Sequence, residues 1–153
     1  MKKVFIAAFS ILLLISCKTT EKASASTEGA LQEPDIESLF IESNIWELST
    51  YMGKQPADVG FINKIPTLVI NLAEQRAGGN SGCNSFGGEA IIEGDTITLG
   101  KVISTKMFCQ GVPEYEFFQL IQQPLKYRIK GNTLSLEKEG EVILEYKLIE
   151  GSK

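Results

Sequence analysis

Apolar and polar positions alternate in short runs over most of the chain, and turn-forming residues separate these runs. Thr133–Glu137 (TLSLE) shows the alternation clearly, and Gly94-Asp95 lies between two apolar runs in the manner of a β-hairpin turn. A period of two is the pattern of strands with one buried face. The predicted strands are Ile45–Leu48, Thr67–Leu72, Gly88–Glu93, Thr96–Leu99, Lys101–Thr105, Tyr127–Ile129, Thr133–Glu137 and Val142–Ile149.

One segment between the strands has helical spacing instead. Pro113 suits the first turn of a helix, and Phe117, Leu120 and Ile121 follow with i, i+3, i+4 periodicity before Pro124 ends the pattern. Antiparallel strands interrupted by one helix predict an α+β fold, a small antiparallel barrel-like curved sheet with one main helix.

Glycine is concentrated in residues 78–82, which we interpret as a bend leading into Cys83, with Asn84 capping a turn through its own backbone. A phosphate-binding loop is the alternative, but the Gly-Lys-Ser/Thr ending of a P-loop is missing. Four large side chains could line a ligand pocket, although residues of this type are usually core. They are Trp46, Phe86, Met107 and Phe108.

The N-terminus has the pattern of an export signal. Lys2 and Lys3 precede the apolar run Val4–Ile15, which is too short for a permanent membrane span, and Ser16 then precedes Cys17. The stretch resembles a bacterial lipobox, in which the cysteine is acylated and cleavage occurs directly before it. An ordinary secreted protein with a cysteine near its cleavage point is the alternative.

This resemblance predicts a signal peptide over residues 1–16, a lipidated N-terminus and flexible tether over residues 17–43, and one domain over residues 44–149. Two or more acyl chains on Cys17 would hold the protein stably at a membrane. Lys18 follows the cysteine where an aspartate would favour inner-membrane retention, so similarity to lipoprotein sorting rules favours the outer membrane.

Composition narrows the chemistry. The chain has no histidine, which excludes Ser-His-Asp and Cys-His catalysis and imidazole metal sites. The net charge is −4 and becomes −6 once the leader with its two lysines is removed, so nucleic acid is not an expected partner. We therefore expect the protein not to be an enzyme and to bind no cofactor and no metal. A carboxylate-dependent hydrolase remains a minority alternative.

With Cys17 assigned to lipid, Cys83 and Cys109 form an even pair in an exported chain. Oxidising conditions favour a disulfide between them, and two buried reduced thiols are the alternative.

These features together resemble the META domain family, which includes HslJ-like envelope proteins. The resemblance begins at the tryptophan strand Asn44–Leu48, passes through Gly82–Gly88 (GCNSFGG) and Ser104–Cys109 (STKMFC), and ends at Gly131–Leu136. The motif residues are Trp46, Gly82, Cys83, Asn84, Gly88, Thr105, Met107 and Cys109.

The resemblance implies a half-open, barrel-like sheet with a helix, and an association with envelope stress and antibiotic tolerance. It supports a non-enzymatic envelope lipoprotein that binds an unidentified protein partner in stress response or assembly. The fold is also similar to that of type III secretion pilot lipoproteins, which can hold an acyl chain. A carrier of an acyl chain or another apolar small molecule is therefore the alternative function.

Overall fold

The structure is a computed structural model, and it describes residues 44–149. The predicted signal peptide (residues 1–16), the acylated Cys17 and the predicted tether (residues 17–43) lie outside the described residues. The predicted strands and helix all fall within them.

The described chain contains eight strands, one α-helix and one short 3-10 helix. The strands are β1 Ile45–Tyr51, β2 Thr67–Asn71, β3 Arg76–Asn80, β4 Ser85–Glu93, β5 Thr96–Ser104, β6 Leu125–Lys130, β7 Thr133–Lys138 and β8 Glu141–Ile149. The 3-10 helix is Pro56–Val59, between β1 and β2, and the α-helix α1 is Glu114–Ile121, between β5 and β6.

Every strand pairs antiparallel with its neighbour along the chain, and β8 pairs with β1 to close a barrel. The contact between β5 and β6 is the shortest, with two residue pairs, Thr96 with Lys126 and Ile97 with Leu125. The α1 segment is inserted at this narrow junction. The predicted α+β, barrel-like antiparallel sheet with one main helix is confirmed. The half-open sheet that the family resemblance implied is instead closed, because β8 pairs with β1.

The core lies inside the barrel, because the alternating apolar positions of the strands point inward. Trp46 of β1 and Tyr146 of β8 are fully buried there, and α1 contributes Phe117 and Ile121. Removing such side chains from water is the main favourable contribution to folding. No helix within residues 44–149 has the length and hydrophobicity needed to cross a membrane.

Gly78–Asn80, the first part of the stretch that we predicted to be a bend, belongs to strand β3, so that part of the prediction was wrong. Ser81 and Gly82 do lie in the loop that leads into Cys83. The glycines are required because β3 packs closely between β2 and β4: a Cβ atom on Gly79 would lie 2.0 Å from the carbonyl oxygen of Thr67, and one on Gly78 would lie 2.9 Å from that of Phe86. Glycine here permits close backbone approach between strands.

The two strands predicted over Thr96–Leu99 and Lys101–Thr105 form the single strand β5. Lys101 has a positive φ of 48°, and the pairing with β4 shifts register between Gly87 and Glu89. An extra residue in one strand of a pair is a β-bulge, which keeps the strand continuous while bending it.

Candidate functional site

Six of the eight motif residues come together where three segments meet: the β3–β4 loop, the segment after β5, and the start of α1. They are Gly82, Cys83, Asn84, Thr105, Met107 and Cys109. The other two lie apart from this junction. Trp46 is in the barrel core, and Gly88 is in β4, where a Cβ atom would lie 2.6 Å from the carbonyl oxygen of Gly100.

Asn84 is the centre of this junction and is almost completely buried. Its Nδ2 donates to the carbonyl oxygen of Met107 at 3.0 Å and to Oε2 of Glu114 at 2.8 Å. Its Oδ1 accepts from Oγ1 of Thr105 at 2.7 Å and from the backbone N–H of Met107 at 2.8 Å. Two donors and two acceptor lone pairs are all that an asparagine amide offers, so the side chain has no capacity left for a ligand.

The turn-capping role predicted for Asn84 belongs instead to Asn80. Oδ1 of Asn80 accepts from the backbone N–H of Gly82 at 2.8 Å, within the same loop. The Asn84 side chain bonds to segments more than twenty residues away in sequence. The predicted structural role of the loop is consistent with this arrangement, and its mechanism is the joining of three distant segments.

Glu114, the first residue of α1, completes the junction, and sequence reasoning did not single it out as a site residue. Its Oε1 accepts from the hydroxyl of the fully buried Ser81 and from the backbone N–H of Asn84 at 3.2 Å. A carboxylate in the first turn also complements the positive end of the helix dipole. An acidic residue at a helix start is a local sequence signal for this dipole contact, but no local signal indicated a partner thirty residues earlier.

The two domain cysteines close the junction covalently. Sγ of Cys83 and Sγ of Cys109 are 2.02 Å apart, and their Cα atoms are 5.8 Å apart. The predicted pairing is therefore present in the structure, and it excludes both residues from thiolate chemistry. We refer to the Asn84 hydrogen bonds, Glu114 and this disulfide together as the clamp.

Large apolar side chains project into solvent beside the clamp. Phe108 is 91% exposed, Tyr115 is 72% exposed and Met107 is 60% exposed, and the partly buried Phe118 lines the same cavity of about 300 Å³. Ile103, also exposed, precedes this segment on β5. We call Ile103, Met107, Phe108 and Tyr115 the apolar surface.

This surface corrects part of the sequence prediction. Trp46 and Phe86 are buried, as expected for core residues, but Met107 and Phe108 are not. Their segment belongs to no strand or helix, because it leaves the barrel after β5 and returns only at α1. Of the four residues considered as pocket-forming, Phe86, Met107 and Phe108 border surface cavities, while Trp46 lies in the core.

A second concave feature, the helix groove, lies on the other side of Tyr115 and has a volume of about 500 Å³. Its lining residues are Tyr51, Met52, Val59, Pro113, Tyr115, Glu116, Gln119 and Leu120. Burial raises the pKa of Tyr51, and the nearby carboxylate of Glu116 raises it further. The phenol therefore stays protonated at neutral pH.

Tyr146 lies deeper in the barrel, near Tyr51. Its hydroxyl is fully buried and has no hydrogen-bond partner among the described residues. Burial raises its pKa, with a smaller contribution from Tyr51. Tyr51 thus lines the groove and also belongs to the hydrophobic core that contains Tyr146. Within residues 44–149 no three potential metal ligands cluster together.

Fold and junction together define a class of protein: a small closed antiparallel barrel with one inserted helix, stabilised by a Gly-Cys-Asn loop disulfide-bonded to the segment after β5. The chain belongs to the META domain family, whose model matches residues 39–148. HslJ-like is a related name for the same domain.

Two solved structures share the fold. An NMR structure from Burkholderia xenovorans is 18% identical, with a TM-score of 0.55, and the match covers 84% of this chain and 98% of that one. A second NMR structure is 20% identical, also with a TM-score of 0.55, covering 71% of this chain and 91% of the other. A search of curated proteins gave no match. At this identity the two structures support the fold alone.

Proposed function

We propose that the chain is a lipid-anchored lipoprotein of the cell envelope, favouring the outer membrane, whose META domain binds a protein partner in envelope assembly or stress response. The Ile15-Ser16-Cys17 stretch supports the anchor. The apolar surface supports the partner, and the absence of histidine together with the pairing of Cys83 and Cys109 supports a role without catalysis.

The observation that carries this proposal is the exposure of large apolar side chains on a segment that is firmly held. The side chains of Phe108 and Met107 are exposed, so they add little buried apolar area to the core. The clamp fixes the backbone between them and the barrel through Asn84 and the disulfide. A preordered surface loses less conformational freedom on binding, and contiguous exposed apolar residues mark interaction sites.

The anchor is tested by replacing its acceptor residue. We expect Cys17→Ser to leave the precursor unprocessed or to release the protein from membranes, because no other thiol in the leader can be acylated. Fractionation with labelling by an acyl-chain analogue measures this. Mature Cys17→Ser protein that still sediments with the envelope would contradict the anchor.

The partner is tested by polar substitution on the apolar surface. We expect wild-type protein from gently solubilised membranes to migrate on native gels as a complex larger than the monomer, and Phe108→Ser to migrate as the monomer. Ile62→Ser is the matched control, since Ile62 is 75% exposed and borders neither the cavity at Phe108 nor the helix groove. Identical migration of all three proteins would contradict the proposed surface.

The alternative function, a carrier of an acyl chain or another apolar small molecule, has one observation in its favour, the helix groove of about 500 Å³. A carrier would retain its ligand through purification. Native and denaturing mass spectra of the protein isolated without added lipid would then differ by the mass of the ligand, and equal masses would remove the carrier from consideration.

A further inference from the structure

The side chains that line the helix groove are uncharged except for one carboxylate. Glu116 supplies the one ionised side chain among its eight lining residues, and the others are aliphatic, aromatic or neutral polar. Glu116 lies near Tyr51, another lining residue: burial raises the pKa of Tyr51, and the Glu116 carboxylate raises it further. An anion placed here would be repelled, whereas a cation on an aliphatic stem could pair with the carboxylate and pack its stem on the apolar walls.

Met52 forms part of the groove wall at a conformational cost. It has a positive φ of 48° and is followed by Gly53, also with positive φ, in the turn that joins Tyr51 to Lys54. Asparagine and glycine are the usual residues for such positions. Met52 is 58% exposed and so does little for the core. A residue that adopts an unfavourable backbone conformation without burying its side chain is a candidate for a functional role.

The backbone around Met52 is held in place despite this cost. The N–H of Met52 donates to the carbonyl oxygen of Ile143 at 2.7 Å, and Tyr51 and Lys54 exchange backbone hydrogen bonds of 2.9 and 3.0 Å. The thioether is therefore presented to the groove from a fixed position. Methionine packs well against flexible alkyl chains because it is unbranched and polarizable.

The groove is continuous with the apolar surface, because Tyr115 lines both it and the cavity at Phe108. It is also open, since Met52 and Tyr115 on its rim are largely exposed. Sites for free small molecules usually enclose most of the ligand surface. An open groove beside a protein-binding surface suits a side chain that arrives on a polypeptide.

We propose that the helix groove receives a lysine or arginine side chain of the partner protein bound to the apolar surface, with Glu116 pairing the cation and Met52 and Leu120 contacting its stem. This inference rests on the proposed function and specifies the partner: a segment with apolar residues on either side of a basic one. The net charge of −6 that the chain carries once the leader is removed is complementary to such a partner.

The test uses the full chain in phosphatidylcholine nanodiscs, with empty nanodiscs as the blank, and three fluorescent capped pentapeptides. Each has phenylalanine and leucine on both sides of a central lysine, norleucine or glutamate. At low ionic strength we expect the lysine peptide to bind about fivefold more tightly than the norleucine peptide, the size typical of an exposed ion pair, and the glutamate peptide to bind weakest.

Variants distinguish binding in the helix groove from non-specific hydrophobic binding. Glu116→Gln should remove the preference for lysine over norleucine, whereas Glu93→Gln, at an exposed acid outside the groove, should leave it intact. Met52→Asn should weaken the lysine peptide severalfold while the Tm stays equal or rises, since asparagine suits the turn better. A fall in Tm with Met52→Asn would contradict the assigned role of Met52.

The inference and the proposed function can fail separately. Equal binding of all three peptides, lost in Phe108→Ser, would overturn the cation site and leave the apolar surface standing. A lysine preference that depends on Glu116 but is untouched by Phe108→Ser would support the groove and overturn the surface. No binding of the lysine peptide, or a preference that survives Glu116→Gln, would overturn the inference.

Discussion

Asn84→Ala is expected to lower the free energy of unfolding by about 3 kcal/mol. The substitution removes four side-chain hydrogen bonds at once and leaves the backbone groups of Met107 and one Glu114 oxygen without their partner. A buried polar group left unpaired costs about 1–3 kcal/mol. We take about 1 kcal/mol for each of these three groups, because Met107 and Thr105 lie close to solvent. Urea denaturation of the purified domain measures the change.

Two further variants sharpen this prediction. Asn63→Ala, at an exposed loop position, should change stability by less than about 0.5 kcal/mol. Asn84→Asp keeps the shape but sets a carboxylate against the carboxylate of Glu114, so it should cost at least as much as alanine at neutral pH. If Asn84→Ala and Asn63→Ala were equally mild, Asn84 would not be the centre of the clamp.

Breaking the disulfide is the second large expected effect. Cys83→Ser and Cys109→Ser should each cost about 3–4 kcal/mol, and the double variant should cost the same as either alone. The bond closes a loop with a sequence separation of 26, and its loss restores conformational entropy to the unfolded chain. Urea unfolding of the three variants, with reduced wild type alongside, gives the comparison.

The pattern of the losses decides whether the bond is the cause. Each single substitution removes the whole cross-link, so a bonded pair gives non-additive losses. Additive losses in Cys83→Ser/Cys109→Ser would mean that the two side chains act independently, and would contradict the disulfide. Insensitivity of the wild type to reductant would point the same way.

Strands and the helix could be predicted from sequence where buried residues recur at a regular spacing on one face of the element. The alternation of Thr133–Glu137 and the i, i+3, i+4 spacing of Phe117, Leu120 and Ile121 are local consequences of burial on one face, so they could be identified without a structure. Sequence reasoning failed at β3, where glycines indicate turns by default. Their reason, close packing between β2 and β4, depends on strands that only the folded chain brings together.

The candidate site divides in the same way. The pairing of Cys83 with Cys109 could be predicted, because it needed only cysteine number and an exported chain. The partners of Asn84 could not, since Thr105 and Glu114 lie 21 and 30 residues away in sequence. Hydrophobicity alone also misplaced Phe108, since a side chain on a segment between elements can face solvent while its backbone is held.

The side chains of the family motif at the clamp form structural contacts and are not free to react. Asn84 has all its hydrogen-bonding capacity occupied inside the protein, and the cysteines are bonded to each other. Their effect is to hold Met107 and Phe108 in fixed positions at the surface. Function is therefore expected in the side chains that the clamp presents, where Phe108→Ser should be far more harmful to binding than to stability.

The most direct test is photo-crosslinking in living cells, with a benzophenone amino acid placed at position 108 and, as the matched control, at position 62. We expect one discrete protein adduct from position 108, none from position 62, and loss of the adduct when Tyr115→Ser is added. Adducts of equal yield and identity from both positions, or none from position 108 in protein that is folded and membrane-bound, would contradict the claim that the clamp presents a partner-binding surface.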